Sequence, residues 1–412
     1  MKIIHINHSD ISGGAARAAY RIHQSLLKEG INSEMWVNKV FSDDWTIKGP
    51  TKTIEKLLVE LKPRLINKLF LKILITKNKV IHSPSVSPSR WVKRINESDA
   101  DIVNLHWVQN EMLSIKDISK IKKPIVWTLH DMWAFCGAEH YSSDNRWRKG
   151  YNPDNRPLYE SGFDLNRWTF ERKVKYWKNP INIVTPSKWL SNCAKESKLM
   201  SNYTVSVIAN PINTDVFKPI DKKKAREKLN LPKDIHLILF SAISGGKDPR
   251  KGFDLLVNSL EYLRNDIKTK KFQLVVVGQE KQKLPFNLGF PIHYLGHLNN
   301  DLSLRYSYGS ADVMVVPSRL EAFGQTASEA HACGLPVVTF NVGGLPDIVE
   351  HKKTGYIAKA FDTKDLANGI SWVLDNSEIK KLNFYSREVA KIKFSEKNIA
   401  DSYIKIYKKL IS

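Results

Sequence analysis

Apolar and polar positions alternate along the chain in blocks: short β-branched runs separated by stretches of helical period. The runs in the first half are Ile3–Asn7, Glu34–Val37, Ile102–His106, Ile125–His130, Ile181–Pro186 and Val205–Ala209. Those in the second half are Leu237–Ser241, Gln273–Gly278, Ile292–Leu295, Val313–Pro317, Val337–Phe340 and Tyr356–Ala358. Several are apolar throughout, as expected for strands of a parallel sheet covered on both faces. Strands alternating with helices make βαβ units, so the pattern predicts an α/β chain that uses a doubly wound architecture twice. The turn-forming stretch Asn210-Pro211-Ile212-Asn213-Thr214-Asp215 follows a strand and marks the best boundary. The expected domains are 1–213 and 214–393, with a C-terminal helix over about 394–412 returning to the first. In such domains ligands sit beyond the carboxyl ends of strands, so candidate residues are sought there.

Length agrees, because 412 residues are too many for one hydrophobic core. Cys136, Cys193 and Cys333 are too few and too irregular for a disulfide framework or a thiolate metal site, and suggest a reducing cytoplasm. The start, Met1-Lys2-Ile3-Ile4-His5-Ile6-Asn7, reads as a first strand and not as a signal peptide. No apolar run is long enough to span a bilayer, so the expectation is a soluble or peripheral protein.

The net charge of +22 changes the picture, since it calls for anionic partners. Between Lys52 and Lys79 eight basic residues stand against Glu55 and Glu60. Ile54, Leu57, Leu58, Leu61, Leu65 and Leu69 interleave at helical spacing. This is the pattern of a basic amphipathic helix on an anionic membrane surface, and equally of a helix packed on its own domain. Ten of the eleven tryptophans lie in the first 189 residues, so the halves do different jobs. The first half suits an amphipathic or sugar-bearing partner, with most rings expected in the core.

The sharpest candidate chemistry follows Val313–Pro317. A loop, Ser318-Arg319-Leu320-Glu321-Ala322-Phe323-Gly324, leads to a helix from about Gln325 to Cys333, capped by Gly334. A helix start offers unpaired amides and positive dipole to a diphosphate, and Gly324 lets a ligand approach the backbone. Glu321 can accept hydrogen bonds from sugar hydroxyls, and Glu329 from both hydroxyls of a ribose. Either glutamate alone would read as a surface or capping carboxylate.

With Glu321 and Glu329 spaced as Glu-x7-Glu, the chain resembles the retaining GT-B glycosyltransferases of family 4, the group that includes sucrose-phosphate synthases and bacterial polysaccharide enzymes. The resemblance implies two Rossmann-like domains facing across a cleft, and a UDP- or GDP-sugar as donor. It implies that Glu321 contacts the transferred sugar, that Glu329 holds the ribose, and that Phe323, Gly324 and Gln325 lie against sugar and phosphate. Arg250-Lys251-Gly252 matches the family's phosphate element, so Arg250 and Lys251 are expected to neutralise the leaving diphosphate. Relatives carry an arginine where Gly245 stands, and Lys247 is the expected substitute. Gly343 and Gly344, in Val342–Val349, match a Gly-rich loop at the sugar, with Asp347 where a glutamate is usual. In the first half, Gly13, Gly14 and Arg17 match a loop at the diphosphate. His130, in Thr128–Trp133, matches a histidine that bonds the transferred sugar, whereas His106 reads as structural. After His140-Tyr141-Ser142, where relatives place cysteines, there are none, so no thiolate metal site is expected there.

These positions imply a metal-independent transferase (hexosyltransferase type) that needs no cofactor. It would move sugar with retention to a glycan acceptor, lipid-linked if Lys52–Lys79 lies on the inner face of a plasma membrane, in cell-surface polysaccharide (lipopolysaccharide or capsule) assembly. The alternatives are a nucleotide-sugar epimerase of the same fold and a basic nucleic-acid-binding protein. No recognisable nucleic-acid module supports the latter, so no nucleic acid is expected as partner.

Overall fold

The computed structural model describes residues 1–242, 248–265, 271–279, 289–298 and 300–411. The chain divides into two compact units, Met1–Ala209 with Ile399–Ser412, and Asn210–Asn398. The strands are β1 (Lys2–Ser9), β2 (Asn32–Lys39), β3 (Ile47–Lys48), β4 (Leu74–Thr76), β5 (Ile102–Leu105), β6 (Ile125–Thr128), β7 (Glu160–Gly162), β8 (Asn182–Thr185), β9 (Val205–Val207), β10 (His236–Ser241), β11 (Phe272–Val277), β12 (Ile292–Tyr294), β13 (Val313–Val316), β14 (Val337–Phe340) and β15 (Gly355–Ala358).

The first unit is built on a parallel sheet of order β3-β2-β1-β5-β6-β8-β9. Its central strands β1, β5, β6 and β8 are buried almost throughout, mostly Ile and Val but with His5, Asn7, Asn104 and Thr128 among them, as in a parallel sheet covered on both faces. The C-terminal helix Glu396–Ile411 belongs to this core: Ile399, Ala400, Tyr403 and Tyr407 pack on Ile3, Ile22, Leu26, Ile102, Val126 and Val184. Its tyrosine hydroxyls meet the polar side chains that the sheet buries. Tyr403 Oη lies 3.1 Å from Thr128 Oγ1, and Tyr407 Oη lies 2.7 Å from the Asn104 amide. Buried polar groups thereby find partners, which their burial demands.

The second unit repeats the plan with a parallel sheet of order β12-β11-β10-β13-β14-β15. Its core joins Ile238, Phe240, Leu274, Val276, Val313, Val315, Val338 and Phe340 to Leu256, Leu260 and Leu263 of the helix Phe253–Asn265 and Leu366, Ile370 and Val373 of the helix Thr363–Leu374. Every strand expected from the apolar runs is present, most with slightly different ends.

The segment 52–79 departs from expectation. Its helix spans Thr53–Ile73 and stops there, because Leu74–Thr76 pairs antiparallel with Glu160–Gly162; Lys77 and Lys79 lie beyond it. Its inner side packs through Pro63 and through Phe70, whose ring stacks on Trp168 at 5.4 Å. Ile54, Leu57, Leu61, Leu65, Leu69 and Ile73 all face out, with Leu65 at 65% exposure. Packing on its own domain therefore accounts for only part of the apolar content of this helix.

Candidate functional site

The loop from Pro317 to Gly324 leaves the buried end of β13 and is gripped by backbone on both sides. Arg319 donates its amide to Arg250 O at 2.7 Å, and its guanidinium reaches Pro249 O and the Asp254 carboxylate. On the other side Gly344 donates its amide to Glu321 O at 2.9 Å. Two glycines allow these approaches. A β-carbon on Gly343 (φ +55°) would stand 2.1 Å from Glu321 O, and one on Gly252 (φ +67°) 2.0 Å from Pro317 O. Both residues also occupy left-handed backbone that other residues adopt at a cost. The Gly-rich loop thus has a structural reason for Gly343, independent of any sugar.

This grip aims the side chains. Glu321 Oε1 accepts from Lys251 Nζ at 2.5 Å and from Ser318 Oγ at 3.0 Å. Phe323 turns inward, its ring edge-on to Phe394 at 5.7 Å, and Gly324 (φ +110°) opens the helix Gln325–Ala332. That helix start has no side-chain cap. Among the described residues the amides of Phe323, Gly324 and Gln325 have no acceptor, and neither has the buried Gln325 Nε2. Unpaired donors gathered at the positive end of a helix suit an anionic ligand. Glu329, about one turn into the helix from this start, is buried, and its Oε2 accepts from Tyr308 Oη at 2.7 Å. The Tyr308 hydroxyl thus bonds the carboxylate that is expected to accept from both hydroxyls of a ribose.

Arg250 is not presented alone. Its guanidinium pairs with Asp248 at 2.7 and 3.2 Å, so Lys251 is the cation aimed at Glu321. Lys247 lies outside the described residues. No group of three or more His, Cys, Asp or Glu that could hold a metal ion occurs among the described residues. Asp99-Ala100-Asp101 has Asp-x-Asp spacing, but it precedes β5, at the opposite end of that strand from His106, and both carboxylates bond Lys2.

In the first unit Gly13 (φ +99°) begins the helix Gly14–Lys28 without a side-chain cap, and Arg17 is half-buried in its first turn. His130 follows β6, half-buried, with Nε2 at 3.1 Å from His106 Nδ1. Burial pulls its pKa down to about 4, so its ring is neutral. The adjacent Asp131 fixes the turn by accepting from His140 Nδ1 (2.6 Å), Trp107 Nε1 (3.0 Å) and the Trp133 amide (2.9 Å). Several polar centres went unforeseen because their partners are distant in sequence. Asp10 is buried and accepts from the amides of Phe41 and Ser42. In the segment without cysteines, buried Arg146 meets Asp144 and Glu160, each at 3.0 Å. Buried Lys173 donates to the carbonyls of Trp133, Cys136 and Gly137. Burial brings its pKa down to about 7 and pushes that of Glu139, bonded to Tyr151, up to about 7.

Residues 221–389 match the family model for glycosyl transferases group 1. D-inositol 3-phosphate glycosyltransferase 2 of Catenulispora acidiphila is 32% identical over 185 residues, 42% of each chain. A 41.2 kDa protein from the cps region of Klebsiella pneumoniae is 26% identical over 271 residues, 62% of this chain and 72% of that one. The chain spans less than half the length of the inositol-phosphate relatives matched first, 42% and 47%. Among solved structures, sucrose-phosphate synthase of Thermosynechococcus elongatus superposes with a TM-score of 0.68 at 18% identity, covering 99% of this chain and 98% of that one. Anabaena HepE in complex with UDP-glucose gives 0.65 at 16% identity over all of both chains. The fold is GT-B.

The buried histidines make the first unit sensitive to acid. Burial lowers the pKa of His5 and His106 well below 6.5, and that of His8, His23, His82 and His130 to about 4. Below the unfolded value the unfolded chain takes up protons that the folded chain refuses. Stability is therefore full above that value and falls as the pH drops towards the folded one, by about 1.4 kcal/mol per pH unit for each histidine. Tryptophan fluorescence, with ten of eleven rings in this unit, should show the urea midpoint falling steeply between about pH 6.5 and 4. A flat midpoint over that range would contradict buried neutral imidazoles.

Proposed function

We propose that the chain is a nucleotide-sugar-dependent glycosyltransferase that retains anomeric configuration and needs no metal. The single observation that carries this is the meeting of Lys251 with Glu321 beside an uncapped, donor-rich helix start, inside the group 1 match. The donor would lay its diphosphate against the amides of Phe323 to Gln325, with Lys251 and Arg250 neutralising it. Glu321 would accept from sugar hydroxyls, Glu329 from the ribose beside its Tyr308 contact, and His130 would bond the transferred sugar. Gly13, Gly14 and Arg17, and Gly343 and Gly344, would border the same ligand.

In this reading the bond from the anomeric carbon to phosphate breaks as that from the acceptor oxygen forms on the same face. The acceptor hydroxyl proton passes to the departing phosphate oxygen. Charge develops on the diphosphate, so preorganised amides and Lys251 act where it grows. The solved structure of HepE with UDP-glucose supports UDP as the base to try first. A WaaG structure described as involved in lipopolysaccharide biosynthesis, and the cps-region relative, support a glycan acceptor in cell-surface polysaccharide assembly.

Glu321→Ala is expected to lower transfer at least about 100-fold while nucleoside diphosphate still binds, as measured with a panel of UDP-, GDP- and ADP-sugars. Near-normal turnover in that variant would remove Glu321 from the reaction. An epimerase would instead convert the donor without acceptor, which product analysis would reveal.

The acceptor is proposed to be lipid-linked, reached at an anionic membrane face through the helix Thr53–Ile73. No described helix is long and apolar enough to cross a membrane. This helix carries its exposed Ile54, Leu57, Leu61, Leu65 and Leu69 among exposed Lys56, Arg64, Lys68 and Lys72, so it suits the interface. Co-flotation should be strong with anionic vesicles, weak with neutral ones, and abolished by Leu65→Glu with Leu69→Glu. Equal flotation on both would remove the electrostatic part of this proposal.

A further inference from the structure

Three histidines stand side by side across three neighbouring strands. His5 lies in β1, His106 directly follows β5, and His130 lies just beyond β6. His5 Nδ1 is 2.9 Å from His106 Nε2, and His106 Nδ1 is 3.1 Å from His130 Nε2. The rings stack in both pairs, with centroids 5.2 and 5.4 Å apart. His5 and His106 are fully buried and His130 is half-buried. All three are held neutral by burial, so each ring carries one proton and one lone pair.

One proton per ring and two nitrogen–nitrogen contacts leave only two arrangements. If His106 donates from Nδ1 to His130, its Nε2 must accept, so His5 donates from Nδ1 and all three are Nδ1–H. If His106 donates from Nε2 to His5, its Nδ1 must accept from His130, and all three are Nε2–H. The tautomers therefore change together or not at all.

The far end of the row separates the two. His5 Nε2 is buried and has no hydrogen-bond partner among the described residues. The neighbouring His23 ring, at 5.8 Å, has both nitrogens on the hydroxyls of Ser33 and Thr46, at 2.7 and 2.8 Å. The second arrangement would bury an N–H at His5 with nothing to receive it, a defect that folded proteins rarely carry. The first leaves only a lone pair there. It places the proton of His130 on Nδ1, the nitrogen that has no partner among the described residues.

We propose that His5 and His106 hold His130 as its Nδ1–H tautomer, so that it offers an uncharged hydrogen-bond donor to a sugar hydroxyl and does not serve as a general base. His106 is then a positioning residue. The sugar contact rests on the function proposed above; the tautomer does not. A donor at the end of a hydrogen-bonded row is polarised by its neighbours and needs no reorganisation when the substrate arrives.

Nitrogen-15 spectra of the full chain labelled at histidine read each tautomer directly, with His130 assigned by comparison with His130→Gln. His130, His106 and His5 should all show a protonated Nδ1 and a bare Nε2. A protonated Nε2 on His130 overturns the proposal whatever the activity. His106→Phe removes both contacts, and His130 should then lose its single tautomer while kcat falls about tenfold and nucleoside diphosphate affinity holds. His106→Gln keeps one donor and one acceptor and should recover most of that loss. A His106→Phe chain with wild-type kcat and an unchanged His130 tautomer would overturn the positioning role. Normal transfer by His130→Gln would refute the sugar contact alone and leave the tautomer standing.

Discussion

The candidate site depends on a loop held by backbone where there is no room for side chains. Pro317 O faces Gly252 and Glu321 O faces Gly343, each so close that a β-carbon would collide with the carbonyl. Gly324 adds a third restriction, since a β-carbon there would come within 2.7 Å of Leu345 Cδ2. The loop therefore cannot drift from the turn at 249–251 or from the segment at 342–345. That fixes Glu321 against Lys251 and sets the direction of the helix Gln325–Ala332, whose first amide has no acceptor among the described residues. A carboxylate, a cation and a positive helix end are thus held together by the backbone around them, the kind of fixed arrangement in which electrostatic stabilisation is effective.

Much of the fold was legible because parallel strands covered on both faces must be apolar throughout, and runs such as Val313–Val316 and Val337–Phe340 are. What escaped was short or paired at long range. Ile47–Lys48 is a two-residue strand, and Leu74–Thr76 finds its partner at Glu160–Gly162, far along the chain. Without that pairing the helix beginning at Thr53 reads as continuing to Lys79.

The site was legible in parts. Glu321, Phe323 and Gly324 announce themselves by lying between a buried strand and a helix. That Lys251 touches Glu321 across 70 residues of sequence is a consequence of topology, β10 being neighbour to β13. The Asp248 partner of Arg250 and the Tyr308 partner of Glu329 follow equally from the fold. The histidine row had a signal that could have been found: three strands adjacent in the sheet each carry a histidine, His5 within β1 and His106 and His130 just beyond β5 and β6. Reading His106 as merely structural missed it, because each imidazole was weighed alone.

In the proposed reaction the second unit binds a nucleoside diphosphate through Lys251 and the helix start at Gln325. Titration calorimetry of the full chain, comparing UDP with UMP and GDP with GMP, tests it most directly. The diphosphate of the preferred base should bind at least about tenfold more tightly than its monophosphate, and Lys251→Ala should erase most of that difference while leaving the monophosphate unchanged. Equal affinity for diphosphate and monophosphate in the wild-type chain, or an undiminished difference in Lys251→Ala, would contradict it.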